Sequence, residues 1–455
     1  MSINQPAYMI LTWGCQMNED DSQQMANLLE QMGYRQASDE SDADIILLNS
    51  CSVRAKPEHK VMSKLGELRL LKEEKPGLII GVCGCMAQRE GEKLLKQAPF
   101  VDLLMGTAAI HELPQLIEQV QQGHRRVVAL DLPKRNGRSS GISHTSRAIG
   151  HVGLKMFVPV MYGCNNFCAY CVVPFARGPE RSRSVEEVVS EINGLVSKGC
   201  REVTLVGQNV NSYQGAASRQ QSAVSKSHTD FAGLLEELND IPGLERIRFI
   251  TSHPKDLSDE LIEAIAELPK VCERLHLPLQ SGDDDILRRM GRGYTVEHYM
   301  ALVDKLRERI PSIALTTDVM VGFPGETDEQ FRNTLDTVQA IRYDSAFMFA
   351  FNLRPGTAAA EMDNQLDNPT KTRRLIELIA VQNDITLERN QEQIGKVLEV
   401  LAEGPSEKDS AKTTGYTRTN KTINFPTKDD LAGKIVKVRA EIAHPWGFTG
   451  ELIKT

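Results

Sequence analysis

Short apolar runs alternate with helical stretches over about the first 135 residues. Near-continuous apolar strands separated by helices are typical of a parallel sheet that is covered on both faces. The pattern therefore predicts an α/β fold whose residues 1–135 form an open parallel sheet domain. The candidate strands are AYMILTWG, ADIILLNS, GLIIGVCG, VDLLMG and RVVALD.

The alternation returns in longer units over residues 151–375, after a basic stretch at 136–150 that is rich in Ser and Gly and predicts a linker. Six strands with intervening helices predict a partial (β/α)6 barrel, in which active sites gather at the carboxyl ends of the strands. The candidate strands are KMFVPVMYG, EVTLVGQN, RIRFITS, RLHLPLQ, ALTTDVMVGF and SAFMFAFN.

A connecting helix is predicted over residues 376–395, and the pattern then changes to short alternating strands over residues 396–455. Alternation of apolar and polar positions in short segments indicates a small all-β barrel. The candidate strands are KVLEVLAEG, TGYTRTNKTINF, GKIVKVRAEIAH and TGELIK.

Composition adds that this is a soluble protein of several domains, because 455 residues exceed one ordinary core and 41% are hydrophobic. The start carries no export signal and no apolar run approaches a membrane span, so we expect a cytoplasmic protein without a membrane partner. The net charge of −8 argues mildly against a chain coated in nucleic acid, although a local basic surface remains compatible with it. Nine cysteines in such a chain favour metal ligation over disulfides, and the isolated Cys200 and Cys272 are interpreted as core thiols.

Three cysteines, Cys164, Cys168 and Cys171, form a C-x3-C-x2-C arrangement at the end of a predicted strand. At this spacing one loop can wrap three thiolates around one iron–sulfur cube and leave the fourth iron without a protein ligand. A free iron can chelate the amino and carboxylate groups of a substrate. The alternative is a structural zinc site, but zinc motifs usually pair two cysteine knuckles, and no adjacent fourth ligand is visible.

A second group, Cys15, Cys51 and Cys85, follows three successive predicted strands of the first domain. The carboxyl ends of parallel strands meet at one crevice, so the three thiols predict a second cluster site. The alternative is that each is a small buried hydrophobe at a strand end. Cys83 competes with Cys85, and Cys85 is preferred because it lies beyond the glycine that ends the strand.

Long segments resemble the methylthiotransferase family of radical S-adenosylmethionine (SAM) enzymes over nearly the whole chain. One of these segments, GCMAQ at 84–88, supports Cys85 over Cys83. The sequence departs from the family pattern at Trp13 and at the start of FNLRPGT, neither of which touches a cluster ligand. The segments are GCQMNEDDS at 14–22, NSCSVR at 49–54, GCMAQ at 84–88, GCNNFCAYCVVPFARGPERSRS at 163–184, LVGQNVNSY at 205–213, LHLPLQSGDDDILRRMGRGYT and TTDVMVGFPGET.

The resemblance implies two 4Fe-4S clusters held by the six cysteines, with no further catalytic residue assigned. One SAM would be the methyl donor and another the source of a 5′-deoxyadenosyl radical, and the protein would position these cofactors. The GCQMN and GQNVN segments favour the branch that converts N6-isopentenyladenosine next to the tRNA anticodon to its 2-methylthio derivative. Methylthiolation of another tRNA adenosine or of a ribosomal-protein aspartate is the alternative, and a non-catalytic iron–sulfur RNA-binding protein is the alternative outside enzymes. The expected partners are the anticodon stem-loop of tRNA and a low-potential electron donor such as flavodoxin or ferredoxin, while the sulfur source is not indicated.

Polar residues at the predicted strand ends are the candidate SAM contacts, because ligands of such barrels bind there. The competing interpretation is that they form ordinary turns, or a solvated charged stretch in the case of the arginine. The candidates are Gly207, Gln208, Asn209, Ser252, His253, Gln280, Ser281 and Arg183.

The C-terminal module resembles the TRAM domain, an RNA-binding β-barrel. Its basic and aromatic residues interleave, so rings could stack on unpaired bases while cations meet phosphates. The alternative is that alternate strand residues simply face water and core. The candidate RNA-binding residues are Tyr416, Arg418, Lys421, Phe425, Lys437, Arg439 and Trp446.

Overall fold

The computed structural model describes residues 5–52, 55–133, 152–216 and 228–453. Two features discussed above lie outside these ranges: the linker predicted at 136–150 and Arg54, the last residue of the NSCSVR segment. Within the described ranges, none of the helices combines the length and the apolar character that crossing a bilayer requires.

The N-terminal region is a six-stranded sheet in which every neighbouring pair is parallel. Alternate residues of its third strand enter two different apolar clusters, Ile46 and Leu48 on one face and Ile45 and Leu47 on the other. Both faces are therefore covered, as the continuous apolar strands predict. The strands are β1 (Ala7–Trp13), β2 (Arg35–Gln36), β3 (Ile45–Ser50), β4 (Ile79–Cys83), β5 (Leu103–Met105) and β6 (Val127–Ala129); the helices are α1 (Gln16–Gln31), α2 (Ala55–Glu74), α3 (Gly84–Glu90), α4 (Glu92–Gln97) and α5 (Leu113–Gln121).

The strand order, β2-β1-β3-β4-β5-β6, makes β1, β3 and β4 immediate neighbours. Their carboxyl ends are level, because Trp13 pairs with Ser50 and Asn49 pairs with Cys83. Each of these three strands is followed by a helix whose amino end lies at the same edge of the sheet. The cysteine-bearing segments after the three strands are thus brought side by side.

Six of the ten strands in the middle region form two parallel sheets, β13-β10-β7 and β14-β15-β16, and a bridge between Ile247 and Val271 connects β13 to the segment before β14. This is the predicted partial barrel, and its helices pack around it. The strands are β7 (Lys155–Pro159), β8 (Met161–Tyr162), β9 (Arg181–Ser182), β10 (Glu202–Val206), β11 (Gln214–Ala216), β12 (His228–Asp230), β13 (Arg246–Phe249), β14 (Arg274–His276), β15 (Ala314–Val321) and β16 (Ser345–Ala350); the helices are α6 (Val173–Arg177), α7 (Val185–Ser197), α8 (Phe231–Asn239), α9 (Asp259–Glu267), α10 (Asp284–Met290), α11 (Val296–Arg309), α12 (Asp328–Ile341) and α13 (Asn368–Gln391).

The C-terminal region is a closed barrel of order β17-β18-β19-β21-β20. The segment predicted as one strand at 414–425 is two strands. The chain turns at Asn420, whose φ of 62° is left-handed, a conformation that Asn adopts more readily than most residues. The strands are β17 (Val397–Pro405), β18 (Lys412–Thr417), β19 (Thr422–Pro426), β20 (Ile435–His444) and β21 (Gly447–Leu452).

The closed barrel is docked against the amino ends of the middle strands. Arg246, fully buried at the start of β13, donates 2.7 Å to the backbone oxygen of Tyr416. Arg248 donates 2.8 Å to the backbone oxygen of Thr417. These contacts hold the closed barrel at the end of the strands that is opposite to the cysteine loop.

Candidate active site

The first group of thiols lies at helix amino ends. Cys15 is the N-cap of α1, Cys51 follows β3, and Cys85 lies in the first turn of α3. A helix amino end favours the thiolate form of cysteine. The pKa of Cys15 is lowered to about 6, chiefly by its hydrogen bond with Cys51 and against the effect of burial. The structure therefore brings together the thiols that the strand-end argument selected.

Two buried asparagines hold this thiol group in place. The Asn18 side-chain oxygen accepts from the Cys15 amide at 3.3 Å and from its thiol at 3.4 Å. The Asn18 amide nitrogen donates 3.2 Å to Asn49, which donates 2.9 Å back to the Asn18 backbone oxygen. Gly84 is required beside them, because its φ is +83° and a Cβ there would lie 2.3 Å from the Asn49 side-chain oxygen. The two asparagines lie within quoted motifs but were given no role from sequence.

The competing Cys83 has a different environment from Cys85. It is the last residue of β4, is 1% exposed, and packs among the apolar residues of one sheet face. Burial raises the pKa of its thiol. Cys85 is also buried and its pKa is raised by burial, but Arg177 hydrogen-bonds its sulfur and opposes that shift. Geometry thus groups Cys85, and not Cys83, with Cys15.

The second group of thiols lies on the loop between β8 and α6, and each sulfur receives an N–H donor. The backbone amide of Asn166 donates to Cys164 at 3.4 Å, and that of Val173 donates to Cys171 at 3.5 Å. The guanidinium of Arg292 donates to Cys168 at 3.5 Å. Such donors stabilise thiolates that ligate a metal centre.

Arg292 is a site residue that sequence reasoning quoted within a motif but did not assign. It is 5% exposed and also donates to the Tyr294 hydroxyl at 3.1 Å and to the Pro278 backbone oxygen at 3.3 Å. Its fork-shaped guanidinium therefore joins the cysteine loop to the end of β14. A buried positive charge at this place stabilises negative charge on the Cys168 sulfur.

Among the residues that the structure describes, no set of three His, Cys, Asp or Glu side chains converges on one ion. A zinc site requires such convergence, with sulfur atoms about 2.3 Å from one metal. In an iron–sulfur cluster each cysteine binds its own iron, so the ligating sulfurs stand farther apart. Three thiols on one loop, each with an N–H donor, fit a cluster that is held by three cysteines.

Buried polar atoms without partners lie at the carboxyl ends of β10 and β13. In the described part of the chain, the side-chain oxygens of Gln208, Asn209 and Ser252 are buried and accept or donate no hydrogen bond. Native proteins rarely leave such atoms unpaired, so they indicate a polar ligand. Gly207 closes the same turn, where a Cβ would lie 2.5 Å from the Met161 side chain. These residues fit the polar groups of SAM.

The other predicted strand-end residues are mostly engaged within the protein. His253 accepts a hydrogen bond from the Lys255 amide at 3.3 Å, and burial together with Arg292 lowers its pKa to about 2, so it is neutral. Gln280 has a left-handed φ of 69° and shares backbone hydrogen bonds with β15. The Ser281 hydroxyl lies 3.3 Å from that of Thr334. The sequence pattern placed these residues at the strand ends but did not show which of their side chains are hydrogen-bonded within the protein.

Arg183, another expected SAM contact, is paired within the protein. Its guanidinium forms an ion pair of 2.7 Å with Glu191 on α7 and donates 2.7 Å to the backbone oxygen of Pro159. Both charged side chains are 4% exposed. Arg183 therefore fixes α7 against β7, and its charge is already neutralised inside the protein.

Two buried arginines of the middle region reach the N-terminal thiol segments. Arg177, at the end of α6, pairs with Asp21 on α1 at 2.6 Å, and the two side chains are 4% and 2% exposed. Burial would lower the pKa of Arg177, but Asp21 and the nearby Cys85 sulfur raise it, so the guanidinium keeps its charge. One residue thus contacts both the helix that follows Cys15 and the sulfur of Cys85.

The second arginine is Arg354, which follows β16 and pairs with Glu58 at 3.2 Å. Glu58 lies on α2, the helix after Cys51, and also accepts from Arg89 at 2.9 Å and from the Ser52 hydroxyl at 2.8 Å. Arg177 and Arg354 therefore hold the two thiol-bearing regions against each other from two separate segments.

Comparison with known proteins agrees with this architecture. The Radical SAM superfamily matches residues 158–338, the TRAM domain matches 391–453, and Uncharacterized protein family UPF0004 matches 7–106. A protein of Desulforamulus reducens named tRNA-2-methylthio-N(6)-dimethylallyladenosine synthase is 47% identical over 99% of this chain and 96% of its own length. A protein of Carboxydothermus hydrogenoformans with the same name is 48% identical over 98% of this chain and 99% of its own. The chain belongs to this synthase family. The predicted methylthiotransferase resemblance and the fold class are thereby confirmed.

A solved structure shares the fold of this synthase family member. The radical S-adenosylmethionine methyltransferase TsrM from Kitasatospora setae, solved with cobalamin and a [4Fe-4S] cluster bound, is 16% identical to this chain. It covers 78% of this chain and 74% of its own with a TM-score of 0.54. Membership of the radical SAM superfamily assigns an iron–sulfur cluster and SAM to the middle region.

Four of the seven predicted RNA-binding residues of the TRAM domain have partners within the protein. Phe425 is fully buried in the barrel core. Arg418 is bound to the Glu273 carboxylate at 2.7 Å, and Lys421 donates 2.8 Å to the backbone oxygen of Asp344. The Tyr416 ring is covered by the Lys155 ammonium at 3.8 Å.

The three remaining candidates face solvent. Trp446 is 82% exposed, and Lys437 is exposed on β20. Arg439 is half exposed and 3.4 Å from Glu451. An exposed tryptophan can stack on an unpaired base, and exposed cations can meet phosphates.

Proposed function

We propose that this chain inserts a methylthio group at C2 of N6-isopentenyladenosine next to the anticodon of tRNA. The observation that supports this most strongly is the arrangement of two thiol groups, each at strand carboxyl ends. The ion pairs Arg177–Asp21 and Arg354–Glu58 connect the two regions that carry these thiols. Its nearly full-length relatives carry the name of that synthase activity. A carrier or structural protein would not need the unpaired polar atoms at the strand ends of the middle region.

Different residues would bind the clusters and SAM. Cys164, Cys168 and Cys171 would hold the radical SAM cluster, and the N-terminal group of Cys15, Cys51 and Cys85 a second 4Fe-4S cluster. When bound, the clusters and SAM supply the electron, the methyl group and the radical that an aromatic C–H bond requires. The chain contributes N–H donors to the sulfurs and a polar cradle at β10 and β13.

An exposed aromatic pair beside the cysteine loop suits an alkylated base. Phe167 lies within the loop and Phe175 on α6; they are 53% and 54% exposed, with ring centroids 6.5 Å apart. Exposed large apolar side chains that cluster mark interaction sites. Their surface would receive the dimethylallyl group, which an unmodified adenosine lacks. The anticodon stem-loop would also contact Trp446, and a flavodoxin or ferredoxin would deliver electrons.

The direct test is mass spectrometry of tRNA nucleosides from a strain that lacks this gene. We expect loss of 2-methylthio-N6-isopentenyladenosine, accumulation of N6-isopentenyladenosine, and restoration by the wild-type gene but not by Cys51→Ala. Cys200→Ala is the matched control, because Cys200 is buried in the core of the middle region and should leave restoration intact. A nucleoside profile that the deletion does not change would reject the tRNA substrate.

A further inference from the structure

A cavity of about 340 Å³ lies where β16 ends and α13 begins. We call it the Lys371 pocket; its polar lining consists of Asn352, Asn368, Lys371 and Thr372. Phe351 and Leu353 contribute apolar walls. None of the residues that line it is acidic.

Lys371 is a largely buried lysine, and the opposite charge that acts on it is the exposed Asp367 carboxylate. It is 9% exposed, and within the described ranges its ammonium has no hydrogen bond or ion pair. Its stem passes over Gly322, where a Cβ would lie 2.5 Å from the lysine Cγ, and its nitrogen is 5.4 Å from the Phe351 ring centre. An ammonium with no hydrogen-bonded acceptor keeps its donors available, so the pocket is suited to an anion.

The surroundings of the ammonium also favour an anion with several oxygen atoms. The amides of Asn352 and Asn368 and the hydroxyl of Thr372 are hydrogen-bond donors. The 24-residue helix α13 starts at the pocket, and its amino end carries partial positive charge. The Asp367 carboxylate caps that helix but is exposed to solvent, which screens its charge.

The pocket is connected to the radical SAM cysteine loop through the apolar cluster that contains Phe351. Phe351 belongs to an apolar cluster against which Ala169 and Tyr170 of the cysteine loop pack. The amide of Ala359 donates 2.8 Å to the backbone oxygen of Ala169. An anion in the pocket would therefore be close to a nucleotide that is held at this loop.

We propose that the Lys371 pocket binds a backbone phosphate of the RNA substrate next to the modified nucleotide. This inference rests on the proposed function, since it takes the substrate to be RNA. The group that the pocket would bind is a phosphate, which could come from a nucleic acid or from free inorganic phosphate. The phosphate contact would orient the nucleotide, and Lys371 is accordingly a positioning residue.

The test is fluorescence anisotropy of a labelled anticodon stem-loop that carries N6-isopentenyladenosine, titrated with cluster-containing full-length enzyme at several salt concentrations. Lys371→Gln should weaken binding about tenfold, as expected for a lost charged hydrogen bond, and reduce the salt slope by about 0.7. Lys93→Gln is the matched control, because Lys93 is exposed on α4 and the charge change is the same. It should alter affinity less than about twofold.

Two further measurements keep the result unambiguous. Asn352→Ala changes an exposed lining residue, so it should weaken binding without affecting folding, and melting temperature and iron content check each variant. Lys371→Arg should retain part of the affinity. Equal affinity and salt slope for wild type and Lys371→Gln would overturn the proposal. So would calorimetry in which the variant loses inorganic phosphate but binds RNA normally. Wild-type enzyme that neither binds nor modifies the RNA would instead reject the proposed function.

Discussion

Replacing Asp21 by Asn should loosen helix α1 from the middle region by leaving Arg177 buried without its counter-ion. The pair is 2.6 Å long and its side chains are 2% and 4% exposed, so solvent does not screen it. Removing one partner of a buried ion pair typically destabilises by about 3–5 kcal/mol. Since each 1.4 kcal/mol is tenfold, the local opening of α1 should become at least about 100-fold more frequent.

Hydrogen–deuterium exchange of peptides from residues 16–31 measures this opening in the folded enzyme. Glu263→Gln is the control, because it breaks an exposed pair with Arg309, and exposed pairs contribute about 1 kcal/mol or less. The double variant Asp21→Asn with Arg177→Met should recover part of the protection, since it also removes the unpaired charge. Protection of α1 in Asp21→Asn within about fivefold of wild type would refute the reasoning.

Three further substitutions test separate parts of the site. Gly84→Ala places a Cβ 2.3 Å from the Asn49 side chain, so about four irons per chain should be lost in an iron assay while the other cluster remains. Asn209→Ala removes a buried unpaired oxygen and should raise the dissociation constant for SAM about tenfold by calorimetry, whereas an unchanged constant would place SAM elsewhere. Trp446→Ala should weaken RNA binding about fivefold or more through lost stacking, and Ile442→Ala on the same barrel, 54% exposed, should not.

The convergence of the N-terminal thiols could be predicted because it depends on local pattern and one topological rule. Apolar runs located β1, β3 and β4, and parallel strands expose their carboxyl ends at one edge. The pairing of Arg177 with Asp21 spans 156 positions, and that of Arg354 with Glu58 spans 296. The hydrophobic periodicity of a sequence does not indicate which surfaces of two regions come into contact. The partners of these two arginines therefore could not be predicted from the sequence.

The same reason explains why the RNA-binding residues were only partly identified. Alternation in a strand separates two faces, but it does not distinguish a face that meets solvent from one that meets another part of the chain. Tyr416 and Arg418 follow the expected pattern and nevertheless lie against the middle region, because Arg246 and Arg248 supply donors to that segment.

The ion pairs of Arg177 and Arg354 fix the relative position of two regions more than they stabilise the fold. Replacing a buried pair by well-packed apolar residues is often neutral or stabilising, so ion pairing is a poor means of simply strengthening an interface. A bidentate guanidinium does fix distance and direction, which an apolar contact does not. Arg177 follows the cysteine loop and Arg354 follows the last strand of the partial barrel, and their partners lie on the helices after Cys15 and Cys51. Each pair thus joins segments that carry or adjoin the thiols, and together the two pairs fix the distance between the two thiol groups.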